Sequence, residues 1–191
     1  MKKIIAGVDE VGRGSLIGPV YAAAVILNSK IEKKKLKDSK KISKEKRKIL
    51  NKYIKNNSCW ALGSASVKEI ERLNIFNATM LAMKRAIIKL KKKPSLVIID
   101  GNKVPKMKNY NLKYVVKGDQ KIPEISAASI IAKVARDRLI FKISKNFYGY
   151  FWEKNAGYGT KDHLNAIKRL GPTIYHRRNF NPIHNLSLIH I

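Results

Sequence analysis

The stretch Val8-Asp9-Glu10-Val11-Gly12-Arg13-Gly14 decides how this chain is read. The segment from Lys3 to Val8 has the length and apolar character of a buried strand, and it runs directly into two adjacent acids. Two glycines then flank an arginine. Sites form where the strands of a helix-flanked sheet end, so a strand, an acid pair and a flexible basic turn in this order mark a candidate site. The acids stand out further because the 191-residue chain has 41 Lys+Arg against 13 Asp+Glu, a formal net charge of +28.

The rest of the chain supplies the elements around that stretch. A turn at Gly18-Pro19 leads to a second strand, Val20 to Leu27, followed by a lysine-rich loop from Lys30 to Lys41. Ser43 is a candidate N-cap for a helix through about Asn56, and Cys59 to Ser66 alternates like a third strand. Between Asn74 and Lys92, apolar residues at Phe76, Met80, Met83, Ile87 and Leu90 form a helical stripe, read as core. Pro94 ends that helix. Leu96 to Ile99 is a short apolar strand leading to Asp100, and Tyr114 to Val116 another leading to Gly118-Asp119. Pro123 opens a long helix through about Asn146, and Thr160 caps another that reaches Leu170. Strands mixed with helices, without repeats or a long linker, predict an α/β layered fold in one domain.

Composition narrows the partners. A strongly basic chain favours a polyanion, most simply nucleic acid. Part of the lysine excess also fits drift toward AT-rich codons, since isoleucine and asparagine are abundant too. The longest apolar run, Val20 to Leu27, is too short to span a bilayer, and the lysines do not line one amphipathic helix, so no membrane partner is expected. The apolar segment after Met1-Lys2-Lys3 stops at Asp9 with no small-residue cleavage site, which argues against a signal peptide. Cys59 is the only cysteine, and a reducing cytoplasm is the expected location.

Asp9, Glu10, Asp100 and Asp119 each follow a predicted strand or lie just past one. Carboxylates converging without a counter-charge repel one another and drive some of their number protonated. Hard divalent cations such as Mg²⁺ or Mn²⁺ resolve this, and two of them about 4 Å apart can activate a water and stabilise the leaving oxygen of a phosphodiester. A lone strand-end Asp is usually a turn residue or helix cap, but four in an acid-poor chain are harder to set aside. The glycines lack the third member of a dinucleotide fingerprint, no phosphate-loop Gly-Lys-Ser/Thr is present, and the histidines show no zinc spacing.

The motifs Asp9-Glu10-Val11-Gly12-Arg13-Gly14, Asp38-Ser39-Lys40-Lys41, Asp100-Gly101-Asn102, Lys117-Gly118-Asp119, Ala127 through Arg138, Gly157-Tyr158-Gly159-Thr160-Lys161 and His176-Arg177-Arg178 together resemble bacterial ribonuclease HII, in order from about Lys3 to Ile183. The resemblance implies a ribonuclease H-like fold: a mixed central β-sheet flanked by helices, with a C-terminal helical extension. It implies a Mg²⁺- or Mn²⁺-dependent endonuclease that cleaves RNA in RNA–DNA hybrids and at single ribonucleotides embedded in duplex DNA, leaving 3′-hydroxyl and 5′-phosphate ends. The family's catalytic, metal-binding carboxylates fall on Asp9, Glu10, Asp100 and Asp119. Its substrate-reading loop falls on Gly12, Arg13 and Gly14, and its junction-reading tyrosine on Tyr158.

Those residues suit such roles. The 2′-hydroxyl is what separates RNA from DNA at a given site. Gly12 and Gly14 permit close backbone approach, Arg13 can hold a phosphate in fork geometry, and Tyr158 can stack on a sugar or base face. Lys40, Lys41, Lys117 and Lys161 are candidate phosphate contacts, and Asp137 is expected to support the site indirectly or to pair with a neighbouring arginine. Arg13, where the related ribonuclease HIII carries Lys, favours HII; Asn179 and Gly159 depart from the family pattern. Residues 1–185 are expected to form one catalytic domain acting as a monomer. Leu186 to Ile191 coincides with a reading frame of a common sequencing-library adapter and is expected to be a non-native tail. Two alternatives stand beside this reading: another nuclease of the same fold, and a non-catalytic basic nucleic acid-binding protein.

Overall fold

The computed structural model describes residues 3–29, 31–36 and 42–187. The strands β1 (Ile5–Val11), β2 (Val20–Leu27), β3 (Ser58–Ala65), β4 (Leu96–Asp100) and β5 (Leu112–Val115) form one five-stranded sheet in the order β3-β2-β1-β4-β5. β1 pairs antiparallel with β2 and parallel with β4; β2 and β3 are antiparallel, β4 and β5 parallel. This is the mixed central sheet that the sequence implied.

Side chains alternate across β1, and each face meets one long helix. Ala6 and Val8 join Val97 and Ile99 of β4 and pack against Ala78, Ala82, Met83 and Ile87 of α2 (Val67–Ile88). The opposite face meets α4 (Pro123–Ser144), whose Ala127, Ala128 and Ile131 pack on Ala23 and Val25 of β2. Small residues bring α4 close. A Cβ built on Gly7 would lie 2.1 Å from the backbone carbonyl carbon of Glu124, so any side chain there would lift the helix off the sheet. α1 (Lys44–Asn56) lies beside α4, started by the Ser43 hydroxyl accepting the Lys46 amide at 3.3 Å.

The C-terminal extension contains α5 (Trp152–Asn155), α6 (Lys161–Leu170) and α7 (Ile183–Ser187). Tyr150, Trp152, Ile167 and Ile183 share an apolar cluster with Ile140 and Ile143 of α4 and with Leu16 and Ile17 of the β1–β2 loop. That cluster ties the extension to the loop carrying the Gly-Arg-Gly sequence. Of the six residues expected to be foreign, Leu186 and Ser187 end α7 and the remainder lie outside the described residues.

Three boundaries differ from expectation. β1 and β4 extend through their acids, so Asp9, Glu10 and Asp100 belong to strands rather than following them. α2 starts seven residues before Asn74, because Ser66 and Glu69 form a reciprocal capping box; Asn74, at φ 65°, then kinks the helix. A short helix, α3 (Gly118–Lys121), carries Asp119 where only the end of a strand was foreseen. No helix among the described residues is long and apolar enough to cross a membrane.

Candidate active site

Strand register brings the first acids together. β1 and β4 run parallel with Val8 opposite Ile99, and one further step along the same register sets Asp9 beside Asp100. Asp9, Glu10 and Asp100 line one cavity of about 360 Å³, together with Val11, Ser129, Ile130, Arg47 and Lys133. The Glu10 amide donates to Asp9 Oδ1 at 2.8 Å, fixing that carboxyl. Asp100 Oδ1 accepts the Gly118 amide at 2.8 Å and so anchors the first residue of α3. Asp119 is the next residue along, buried at 2% exposure; it does not itself line the cavity.

The cavity is electrostatically loaded. Burial, then the adjacent Glu10 charge, push the Asp9 carboxyl up to about 8; Asp100 adds to this push and the Ser129 side chain opposes it. Burial also raises Glu10, against the pull of Arg13, whose Nη1 lies 3.3 Å from Glu10 Oε1. Three carboxylates around one cavity form an all-oxygen donor set, which suits a hard divalent cation, and a cation would offset both the burial and the repulsion that raise Asp9. Among the described residues no three His, Cys, Asp or Glu side chains converge closely enough to hold an ion by themselves.

The Gly12-Arg13-Gly14 loop rises from the end of β1 beside the cavity. Gly12 is at φ +91°, and a Cβ there would lie 2.2 Å from Arg136 Nε, so its glycine is required by packing inside the protein. Gly14 differs: a Cβ there would meet nothing within 4 Å, leaving its outer side free for another molecule. Arg13 is half exposed. Tyr158 turns its ring toward this region, with Lys133 Nζ 5.7 Å and the Arg136 guanidinium carbon 5.6 Å from the ring centroid.

A buried histidine pair supports the Tyr158 turn. His163 Nδ1 lies 2.9 Å from the Tyr158 carbonyl, and its Nε2 accepts the Trp152 indole N–H at 2.8 Å. His176 Nδ1 accepts the Thr173 amide at 2.8 Å, which leaves its Nε2 to donate to His163 Nε2 at 3.3 Å. Both rings fit as neutral, His163 protonated on Nδ1 and His176 on Nε2, with the single lone pair of His163 Nε2 shared between the Trp152 indole and the longer His176 contact. Burial, then the His163 ring, lower His176 to about 3, so it stays neutral.

Comparison with known proteins decides the family. The ribonuclease HII family model matches residues 6–183. The chain belongs to the ribonuclease HII family. It is therefore an endoribonuclease, a phosphodiester hydrolase that cuts the RNA strand of RNA–DNA hybrids with a divalent metal ion. It is 70% identical to the ribonuclease HII of Pelagibacter ubique (strain HTCC1062) over 184 residues, covering 96% of this chain and 99% of that one. The crystal structure of ribonuclease H2 from Pyrococcus horikoshii OT3 superposes with a TM-score of 0.82 at 25% identity, covering 97% of each chain. Bst-RNase HIII, solved in complex with Mn²⁺, shares the fold with a TM-score of 0.78 at 18% identity, covering 98% of this chain and 70% of that one.

Sequence reasoning passed over several residues at this site. Ser129 and Lys133 lie one helical turn apart on α4, and both face the cavity, as does Arg47 of α1. Their four-residue spacing on one helix was the signal that could have paired them. Asp137 pairs with Lys133 at 2.9 Å and not with a neighbouring arginine. Arg136 is instead turned into the core, 0% exposed, toward the β1–β2 loop. Lys40 and Lys41 lie outside the described residues, and Lys117 serves as the left-handed N-cap of α3.

Proposed function

We propose that Asp9, Glu10, Asp100 and Asp119 bind Mg²⁺ or Mn²⁺ and hydrolyse the phosphodiester on the 5′ side of a ribonucleotide, leaving 3′-hydroxyl and 5′-phosphate ends. The substrates are RNA–DNA hybrids and single ribonucleotides embedded in duplex DNA. The observation that carries this reading is the shared cavity, which Asp9, Glu10 and Asp100 line together with Arg47 and Lys133. A divalent ion bound there supplies activation of water and neutralises charge on the leaving oxygen. The protein orients the rest. The Glu10 amide and the Ser129 side chain hold the Asp9 carboxyl, and the Gly118 amide holds Asp100. Lys133 and Arg47 attract the substrate backbone, and Lys40 joins them as a further phosphate contact.

Gly12, Arg13, Gly14 and Tyr158 read the ribonucleotide. Arg13 exchanges its exposed contact with Glu10 for a phosphate, and the open side of Gly14 admits the sugar. Tyr158 stacks on the neighbouring sugar or base. We read residues 1–185 as one monomeric catalytic domain of the cytoplasm and 186–191 as a non-native tail, which an independent sequence across that point would test. A merely binding role has no use for carboxylates gathered in a cavity. The deciding experiment incubates duplex DNA bearing one ribonucleotide with wild type, Asp9→Asn and Asp100→Asn at saturating Mg²⁺. Both variants should bind the duplex at least as well as wild type and lose cleavage; near wild-type cutting by either would remove that residue from the metal site.

A further inference from the structure

Two arginines without acids sit behind the reading loop. Arg136 and Arg177 are both 0% exposed, and among the described residues no ion pair involves either. Their partners are backbone carbonyls and one hydroxyl. Arg136 donates from Nη2 to Ser15 Oγ at 2.6 Å and to the Ile17 carbonyl at 3.1 Å, and from Nη1 to the Ala156 carbonyl at 3.0 Å. Arg177 donates from Nη1 to the Arg13 carbonyl and from Nε to the Gly18 carbonyl, both at 2.9 Å. The Arg177 amide takes the Leu16 carbonyl at 2.9 Å. The carbonyls of residues 13, 16, 17 and 18 thus all point inward to these two residues.

This arrangement joins two parts of the chain far apart in sequence. One face of the Arg136 guanidinium abuts Gly12, and another edge holds Ala156 two residues before Tyr158, whose ring it also faces. Ser15 reinforces the link by donating from Oγ to the Gly157 carbonyl at 2.9 Å. A loop with three glycines is otherwise conformationally loose. Here it cannot swing without stranding a buried charge, which is costly. Arg177 also retains a buried donor, Nη2, with no acceptor among the described residues, so the pair is held at a desolvation cost.

We propose that Arg136 and Arg177 are positioning residues for substrate selectivity, fixing the Gly12–Gly14 loop against the Tyr158 turn so that the two grip a ribonucleotide together. This rests on the reading that the loop and Tyr158 contact the ribonucleotide. Asp9 and Asp100 are held instead by the Glu10 and Gly118 amides, outside that loop. Displacement by about 1 Å can cost on the order of a hundredfold in rate where geometry controls reactivity.

The test uses Arg177→Lys and Arg136→Lys, which keep the charge and lose the planar fork, each alone and combined with Arg13→Ala. kcat and KM are measured on duplex DNA with one ribonucleotide and on a duplex whose whole strand is RNA, with melting as a folding control. Each lysine variant should lose on the order of 10- to 100-fold in kcat/KM on the single-ribonucleotide duplex, with kcat/KM on the all-RNA strand reduced by no more than about threefold. On the Arg13→Ala background the same change should add little, because both act through one loop. Equal losses on the two substrates, or strictly additive effects, would overturn the inference. If Arg13→Ala alone leaves the relative cutting of the two substrates unchanged, the underlying reading of the loop fails instead. Should a lysine variant not fold, Ser15→Ala removes the hydroxyl acceptor of Arg136 without touching the charge, and the same loss of selectivity is expected; unchanged selectivity there also overturns the proposal.

Discussion

Gly12 and Gly14 are two residues apart in one loop, yet an added methyl should do opposite things at them. At Gly12, alanine must hold φ +91° and place its Cβ 2.2 Å from Arg136 Nε, a side chain that is fully buried. Left-handed backbone costs a non-glycine residue roughly 1–2 kcal/mol, and overpacking a filled interior typically about 1–3 kcal/mol more. The sum is about 2–5 kcal/mol, and at roughly 2–4 °C per kcal/mol for a chain of this size it lowers the melting temperature by about 10 °C. At Gly14 the added Cβ meets nothing within 4 Å, so the free protein should melt as wild type does, or slightly higher because its unfolded chain is stiffer. The methyl would instead meet the incoming sugar, and cleavage of a single embedded ribonucleotide should fall at least tenfold. Thermal melting and a gel cleavage assay on the same two variants check both halves. Gly12→Ala melting within 2 °C of wild type would refute the packing argument; Gly14→Ala cutting at the wild-type rate would mean that no substrate comes near that position.

Other outcomes follow from the same geometry. In chelator, Asp9 holds a proton up to about pH 8 while the unfolded chain releases it near 3.8, so stability is full below the lower value and falls as pH rises toward the upper one; melting curves of Asp9→Asn should lose that slope. His176, lowered to about 3, should still give the nitrogen chemical shifts of a neutral ring at about pH 5, where an ordinary histidine is charged. Tyr158→Phe should retain nearly all stacking and lose less than about tenfold, whereas Tyr158→Ala loses roughly 1–3 kcal/mol of stacking, up to about a hundredfold in kcat/KM; a normally folded alanine variant with wild-type cleavage would make Tyr158 structural. Duplex binding should weaken steeply with added salt, and Lys133→Ala should make the dependence shallower by about one counterion; an unchanged slope would place Lys133 off the substrate backbone.

Local chemistry made much of this legible in the sequence. Strand β2 and helices α1, α4 and α6 were readable because Ser43, Pro123 and Thr160 mark their starts and β2 is a continuous apolar run. The first turns of α2 were missed because Lys68, Glu69, Glu71 and Arg72 mask the apolar period, although Ser66 and Glu69 carried the capping signature. Asp9, Glu10 and Asp100 were legible because acids are scarce in this chain and these three end strands. Gly12 has a packing reason the sequence could not show: the side chain a Cβ there would strike, Arg136, lies 124 positions later. Nothing local marks a buried arginine whose partners are carbonyls on another part of the chain. The same holds for the neutral His163–His176 pair, which only tertiary packing assembles.

The acids and the excess of lysine act over different distances. Exposed charges are screened beyond a Debye length of about 8 Å at physiological salt, so a surface of lysines can gather a polyanion without neutralising a carboxyl inside a cavity. Asp9 fits that separation: burial pushes its carboxyl up to about 8, with Glu10 and Asp100 adding to the push, in a chain of net charge +28. The compensating charge must therefore be local. Lys133 is already paired with Asp137, and Arg13 reaches Glu10 from a half-exposed position. Neither guanidinium of the buried arginine pair takes a carboxylate partner; both are committed to the loop. The basic surface can hold the duplex and the arginines can hold the reading loop; on the proposed metal reading, a divalent cation beside Arg47 and Lys133 would supply the local charge around Asp9.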